Sequence, residues 1–229
     1  MIFDPMYFVY LAPALLLAFW AKSRMMSAYQ TGHTIAAPLS GAAAARYILD
    51  AGGLHNVAIE QTPGELSDHY SPTEKVLRLS PRNFSERSLS AVGIAAHEAG
   101  HALQDAQQYW PMLFRNMAVP IANFGGSGGI MIMILGAVMG IQPLIYVGIA
   151  LFSGIVLFQL INLPVEFDAS ARAKRILVEH NIVSQQEMPY VNKVLNAAAL
   201  TYVAGTLESV LTLLYYGSIF LGGSRSSDE

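Results

Sequence analysis

Cysteine is absent from all 229 residues. That excludes a disulfide framework and a thiolate metal site, so any metal must be held by histidine and carboxylate donors. Charge is also scarce. Asp, Glu, Lys and Arg make up 13% of the chain, against about 25% in soluble domains. Hydrophobic residues make up 53%, and mean hydropathy is +0.40. This balance is that of a membrane protein. The formal net charge of -3 and pI near 6.1 lack the basic excess of a nucleic-acid partner.

The scarcity is uneven along the chain. Residues 116–165 contain no Asp, Glu, Lys, Arg or His. This run is long enough for two spans and is broken by Gly140-Ile-Gln-Pro143, which predicts a transmembrane hairpin over about 117–139 and 144–161. Gly125-Gly126-Ser127-Gly128-Gly129, inside the first span, suits close helix contact. The Met131, Met133 and Met139 cluster reads as membrane packing. Residues 5–21 are uncharged, with Tyr7, Phe8, Tyr10, Phe19 and Trp20 near the two ends, as in interfacial belts. A cleaved signal peptide would start with basic residues. Met1 to Asp4 has none, and Lys22 and Arg24 follow the apolar run, so an uncleaved anchor is expected. Residues 194–223 carry no charge except Glu208. Here a short buried or interfacial helix over about 195–202 precedes a last span near 205–221, and the tail from Ser224 is solvated. Twelve of the thirteen Lys and Arg fall in the polar segments 22–115 and 162–194. The positive-inside rule places both segments in the cytoplasm, on one side of the cell membrane, where they can build one site.

The polar segments carry the local signals. Residues 40–50 form a helix stopped by Gly52-Gly53. Residues 56–61 alternate as a strand, and 66–70 with 76–80 read as a hairpin around a five-residue loop. A further helix starts near Pro164. The expected fold is mainly α and integral to the membrane. It has about four transmembrane helices and a small β-hairpin in a single domain over residues 1–229.

One stretch carries the chemistry: His97-Glu98-Ala-Gly-His101, the pattern H-E-x-x-H. Residues four apart share a helix face, so both imidazoles can meet one cation. Glu98 lies about 100° round the helix, within reach of a zinc-activated water without being a ligand. Val92, Ile94, Ala95, Ala96, Ala99, Ala102 and Leu103 flank the motif. Two histidines and a glutamate on so apolar a helix are costly unless a metal satisfies them. Ser88 or Ser90 caps this helix, which runs to about Gln108.

A catalytic zinc (Zn2+) takes a third protein ligand and leaves one position open. Glu166 is the first candidate, because it follows the second hairpin span on the side of the His97 helix. Asp168 is the alternative, since the two side chains point about 200° apart and only one can ligate. His180, in Val178-Glu-His-Asn181, fits an exposed helix end better. His33 and His55, in turn-like sequence, read as solvated. Glu208, ionisable within an apolar run, marks either a paired group or the membrane interface.

With His97-Glu98-Ala-Gly-His101-Ala-Leu-Gln104 and Leu163-Pro-Val-Glu166-Phe-Asp168-Ala-Ser170-Ala-Arg172-Ala in view, the chain resembles the YugP family of membrane zinc metallopeptidases. Asp68-His69-Tyr70-Ser-Pro72, Val76-Leu-Arg-Leu-Ser80 and Ala197-Ala-Ala-Leu-Thr201-Tyr-Val203 belong to the same likeness, which covers almost the whole chain. The layout is also similar to gluzincin membrane proteases of the HtpX type. The resemblance implies a zinc-binding membrane peptidase with His97, His101 and Glu166 as metal ligands and Glu98 as general base. In HtpX-type proteins, an Asp four residues past the ligand Glu supports a ligand histidine. Here that position is Ser170. Asp168 or Asp105 then becomes the candidate partner of an imidazole N–H. His69, Tyr70 and Tyr202 are candidates for oxyanion stabilisation. The partners implied are zinc, a polypeptide substrate and the lipid bilayer. A zinc-binding membrane scaffold or adaptor without turnover is the alternative, although a scaffold has no need of Glu98.

Overall fold

The helix starts follow from local chemistry. In the computed structural model, which describes residues 5–222, Ser40 accepts a bond from the Ala43 amide and starts α2 (Gly41–Ala51), which Gly52 ends. Ser88 does the same for the Ala91 amide at the start of α4 (Leu89–Ala106). The remaining helices are α1 (Pro5–His33), α3 (Pro81–Ser85), α5 (Trp110–Met139), α6 (Gln142–Glu179) and α7 (Met188–Gly222). The strands are β1 (Ala58–Gln61), β2 (His69–Ser71) and β3 (Val76–Leu79). The fold is mainly helical with one small sheet. Residues 1–4 and the tail from 223, expected to be a non-basic start and a solvated end, lie outside the described residues.

Two expected boundaries are corrected. No helix starts at Pro164. Instead, α6 runs unbroken through it, so the second hairpin span and the Glu166 segment are one helix. An interior proline costs one helical hydrogen bond and crowds the carbonyl four residues back, and the many other bonds of so long a helix carry it through. Likewise α7 is continuous, with no break between a short helix over 195–202 and a span from 205. α1 continues through Lys22 and Arg24 as far as His33.

Contacts divide the chain into two units, one of Met1–Trp20, Phe114–Leu163 and Thr201–Glu229, the other of Ala21–Leu113 and Pro164–Leu200. The first unit holds the apolar helix segments. Its α5 and α6 meet through glycine. A Cβ on Gly125 would stand 2.6 Å from the Leu151 carbonyl oxygen, and one on Gly148 would stand 2.6 Å from that of Gly129. The glycine run therefore does serve close helix contact. α1, α6 and α7 are each long and apolar enough to cross a membrane, as is α5 if its bent halves count as one span.

The second unit has a conventional core. Leu49, Leu77, Leu79, Leu89, Val92, Leu177 and Val191 are buried in one cluster with the alanines of α2 and α4. The sheet order is β1-β3-β2. β2 and β3 form the expected antiparallel pair, Tyr70 opposite Leu77, while β1 joins β3 in parallel, Ile59 opposite Leu77. β3 is thus the centre of a mixed sheet, and its Leu77 and Leu79 face the core.

His33 is the other correction. It is buried rather than solvated. Nδ1 lies 2.6 Å from Glu86 Oε2 and 2.9 Å from Ser88 Oγ, and Nε2 lies 3.2 Å from Asn83 Oδ1. Asn83 in turn donates to Asp68, which also accepts from the Ser80 backbone amide and hydroxyl. This network ties the end of α1 to α3. His55, by contrast, is exposed beside Asp50.

Candidate metal centre

α4 is built to be buried. It has alanine or glycine at Ala91, Gly93, Ala95, Ala96, Ala99, Gly100 and Ala102, so its neighbours approach closely. α6 comes close at Gly100, where a Cβ would stand 2.8 Å from the Ala169 carbonyl oxygen. Because the obstacle is backbone, Gly100→Ala must push the two helices apart. We expect a loss of about 1–3 kcal/mol in stability, read as a lower thermal unfolding midpoint in detergent.

This contact sets the polar residues of the two helices face to face. The ligand-type atoms of His97, His101 and Glu166 all lie within 4.8 Å of one another. Glu166 Oε2 is 3.2 Å from His97 Nε2 and 3.7 Å from His101 Nε2. The imidazole rings stand edge to face, with centroids 4.7 Å apart. Their other nitrogens are occupied. His97 Nδ1 is 3.1 Å from Ser170 Oγ, and His101 Nδ1 is 2.9 Å from Gln104 Oε1. Both Nε2 atoms are therefore turned toward the same carboxylate. Two imidazoles and a carboxylate in a buried site, each imidazole held through its far nitrogen, form a donor set suited to zinc. Among the described residues this is the single such group.

Glu98 is also buried, with 8% of its surface exposed. Burial raises its pKa, against the pull of His97 and His101 toward the ionised form. For His101, burial opposes the charged ring, but the bond to Glu166 and the charge of Glu98 outweigh it, and the pKa is raised.

The other sequence candidates lie elsewhere. Asp168 accepts from Gln104 Nε2 and Arg172 Nε. Asp105 touches neither imidazole. It accepts from the Tyr70 hydroxyl at 2.7 Å and from Lys75. Burial, and after it the bond to Asp105, push the Tyr70 pKa up, and its hydroxyl is committed to Asp105. His69 is exposed, with Nδ1 2.8 Å from the Ser67 carbonyl oxygen. His180 stands 3.5 Å from the Tyr47 hydroxyl, away from the cluster. Tyr202 and Glu208 sit on α7 in the other unit. Sequence reading missed Gln104. Its one signal was position, three residues past His101 on the same helical face.

Fold and site together define a mainly helical protein with a histidine–histidine–glutamate centre. Residues 7–221 match the family described as "putative neutral zinc metallopeptidase", and the chain belongs to that family. It is 44% identical over 221 residues to a Bacillus subtilis (strain 168) protein named "Putative membrane protease YugP", covering 95% of this chain and 98% of the relative. No solved structure matches.

Proposed function

We propose that this protein is an integral membrane zinc peptidase whose site is His97, His101 and Glu166 with Glu98 as general base. The observation that carries this reading is the arrival of Glu166, 69 residues beyond His97 in sequence, at the Nε2 atoms of both histidines. Zinc, when bound, supplies Lewis acidity toward a water and toward the scissile carbonyl. The chain's own residues do the rest. Glu98 takes a proton from the attacking water and delivers it to the nitrogen of the leaving amine as the C–N bond breaks. Ser170 and Gln104 hold the imidazoles while this happens. β2 is an edge strand, and an extended polypeptide can add to such an edge through backbone hydrogen bonds.

The membrane reading rests on the apolar helices and on the surface they leave open. Phe8, Leu16, Phe19, Met131 and Leu157 are all exposed in the first unit. A bilayer covers such residues. We place the polar segments 22–115 and 162–194 at the cytoplasmic face, on the distribution of Lys and Arg.

The test is metal removal. Protein purified in detergent and stripped with a strong chelator should stop cleaving an unfolded polypeptide, and added zinc should restore the rate. Full cleavage by zinc-free protein would refute the peptidase mechanism. Stoichiometric zinc without any cleavage would favour the scaffold instead.

A further inference from the structure

Gln104 occupies an unusual place. It is fully buried, and every hydrogen-bonding group of its side chain is used. Oε1 lies 2.9 Å from His101 Nδ1. Nε2 donates to the Val165 carbonyl oxygen and to Asp168 Oδ2, both at 2.8 Å. This pattern fixes the amide, because the reverse orientation would point Oε1 at two acceptors. It also fixes the imidazole. Gln104 Oε1 can only accept, so Nδ1 of His101 carries a proton and Nε2 is the nitrogen that faces the site.

Asp168 completes the chain of bonds. Its carboxylate accepts from Gln104 on one side and from Arg172 on the other, and Arg172 also reaches Oε1 of Gln107, the residue just past the end of α4. A carboxylate set directly on an imidazole N–H is one common way to orient a metal-ligand histidine. Here a neutral amide stands between them.

We propose that Gln104 is a positioning residue that relays Asp168 to His101, so that the carboxylate acts on a metal-ligand histidine it does not touch. An amide that donates to a carboxylate becomes a better acceptor at its oxygen, since hydrogen bonds in series polarise one another. The relay orients His101 without placing a third bare carboxylate against the buried site, where Glu98 and Glu166 already lie. It also gives Ser170 its counterpart. The far nitrogens of both histidines are held by uncharged groups, and Asp168 behind Gln104 is balanced by Arg172.

The relay rests on His101 being a zinc ligand, and the experiment separates the two. Zinc affinity of the full-length protein in detergent is measured by competition with a chromophoric chelator for wild type, Gln104→Met, Asp168→Asn and the double variant. Unfolding midpoints of the zinc-free proteins give the purely structural part. Gln104→Met is expected to weaken zinc about 10–100-fold, the usual effect of losing an outer hydrogen-bond partner. Asp168→Asn is expected to weaken it by a smaller factor, and to do nothing further once Gln104 is gone. Cobalt-substituted protein should change its visible spectrum with Gln104→Met, because ring orientation is no longer fixed. Equal losses from Asp168→Asn in both backgrounds would overturn the relay, as would unchanged affinity in Gln104→Met. If Gln104→Met fails to accumulate, Asp168→Asn alone decides: unchanged zinc affinity refutes the proposal. The site assignment fails separately, if His101→Ala and Glu166→Ala both keep wild-type zinc.

Discussion

Glu98→Gln is expected to retain zinc at the wild-type level and to cleave unfolded polypeptide about 100- to 10,000-fold more slowly, the range a positioned general base contributes. Glu98 lies outside the cluster of His97, His101 and Glu166, so removing its charge should leave metal content unchanged. Its burial raises the free energy of the ionised carboxylate. The amide has the same shape and no charge, so the variant should be no less stable than wild type. Zinc content, unfolding midpoint and cleavage rate on one preparation check all three statements. Wild-type cleavage by this variant would remove Glu98 from the reaction.

Glu166→Ala is expected to have the opposite signature, with zinc lost first and activity lost as a consequence. Its carboxylate is the only charged donor in the trio, and it stands within 3.7 Å of both Nε2 atoms. A site reduced to two neutral imidazoles has lost both a ligand and the charge that offsets the cation. Affinity should fall by more than the 100-fold or so that marks loss of an outer partner. Asp168→Ala, two residues on, should cost less. Retention of full zinc by Glu166→Ala, with loss in Asp168→Ala, would reverse the roles of the two acids.

Much of the local structure was legible because single residues decide it. Ser40 and Ser88 cap helices wherever they precede a helical pattern. The turn between β2 and β3 puts Lys75 at a positive φ of 56°, a short-range event that hairpin patterning captures. The His97, Glu98 and His101 constellation is also local, three side chains within about one and a half turns of helix. What was not legible depends on distant partners. Nothing in residues 58–61 says that they pair in parallel with Val76–Leu79. His33 looked solvated because its partners, Glu86, Asn83 and Ser88, lie more than 49 residues away. Pro164 looked like a start signal, a local rule that α6 overrides by length. The outer partners of the histidines are hidden for a related reason. Asp168 and Asp105 are the carboxylates the sequence offers, whereas the amide of Gln104 and the hydroxyl of Ser170 are the groups that bond the imidazoles.

The thinness of α4 has a consequence for how this chain can change over time. Fifteen of its eighteen residues are buried, most of them too small to be trimmed and too crowded to be enlarged. Random substitution along this helix has few harmless outcomes, and neutral drift is confined to positions such as Ile94 and Ala106. New specificity is therefore more accessible through the sheet edge and the exposed residues around His69 than through the helix that carries the histidines.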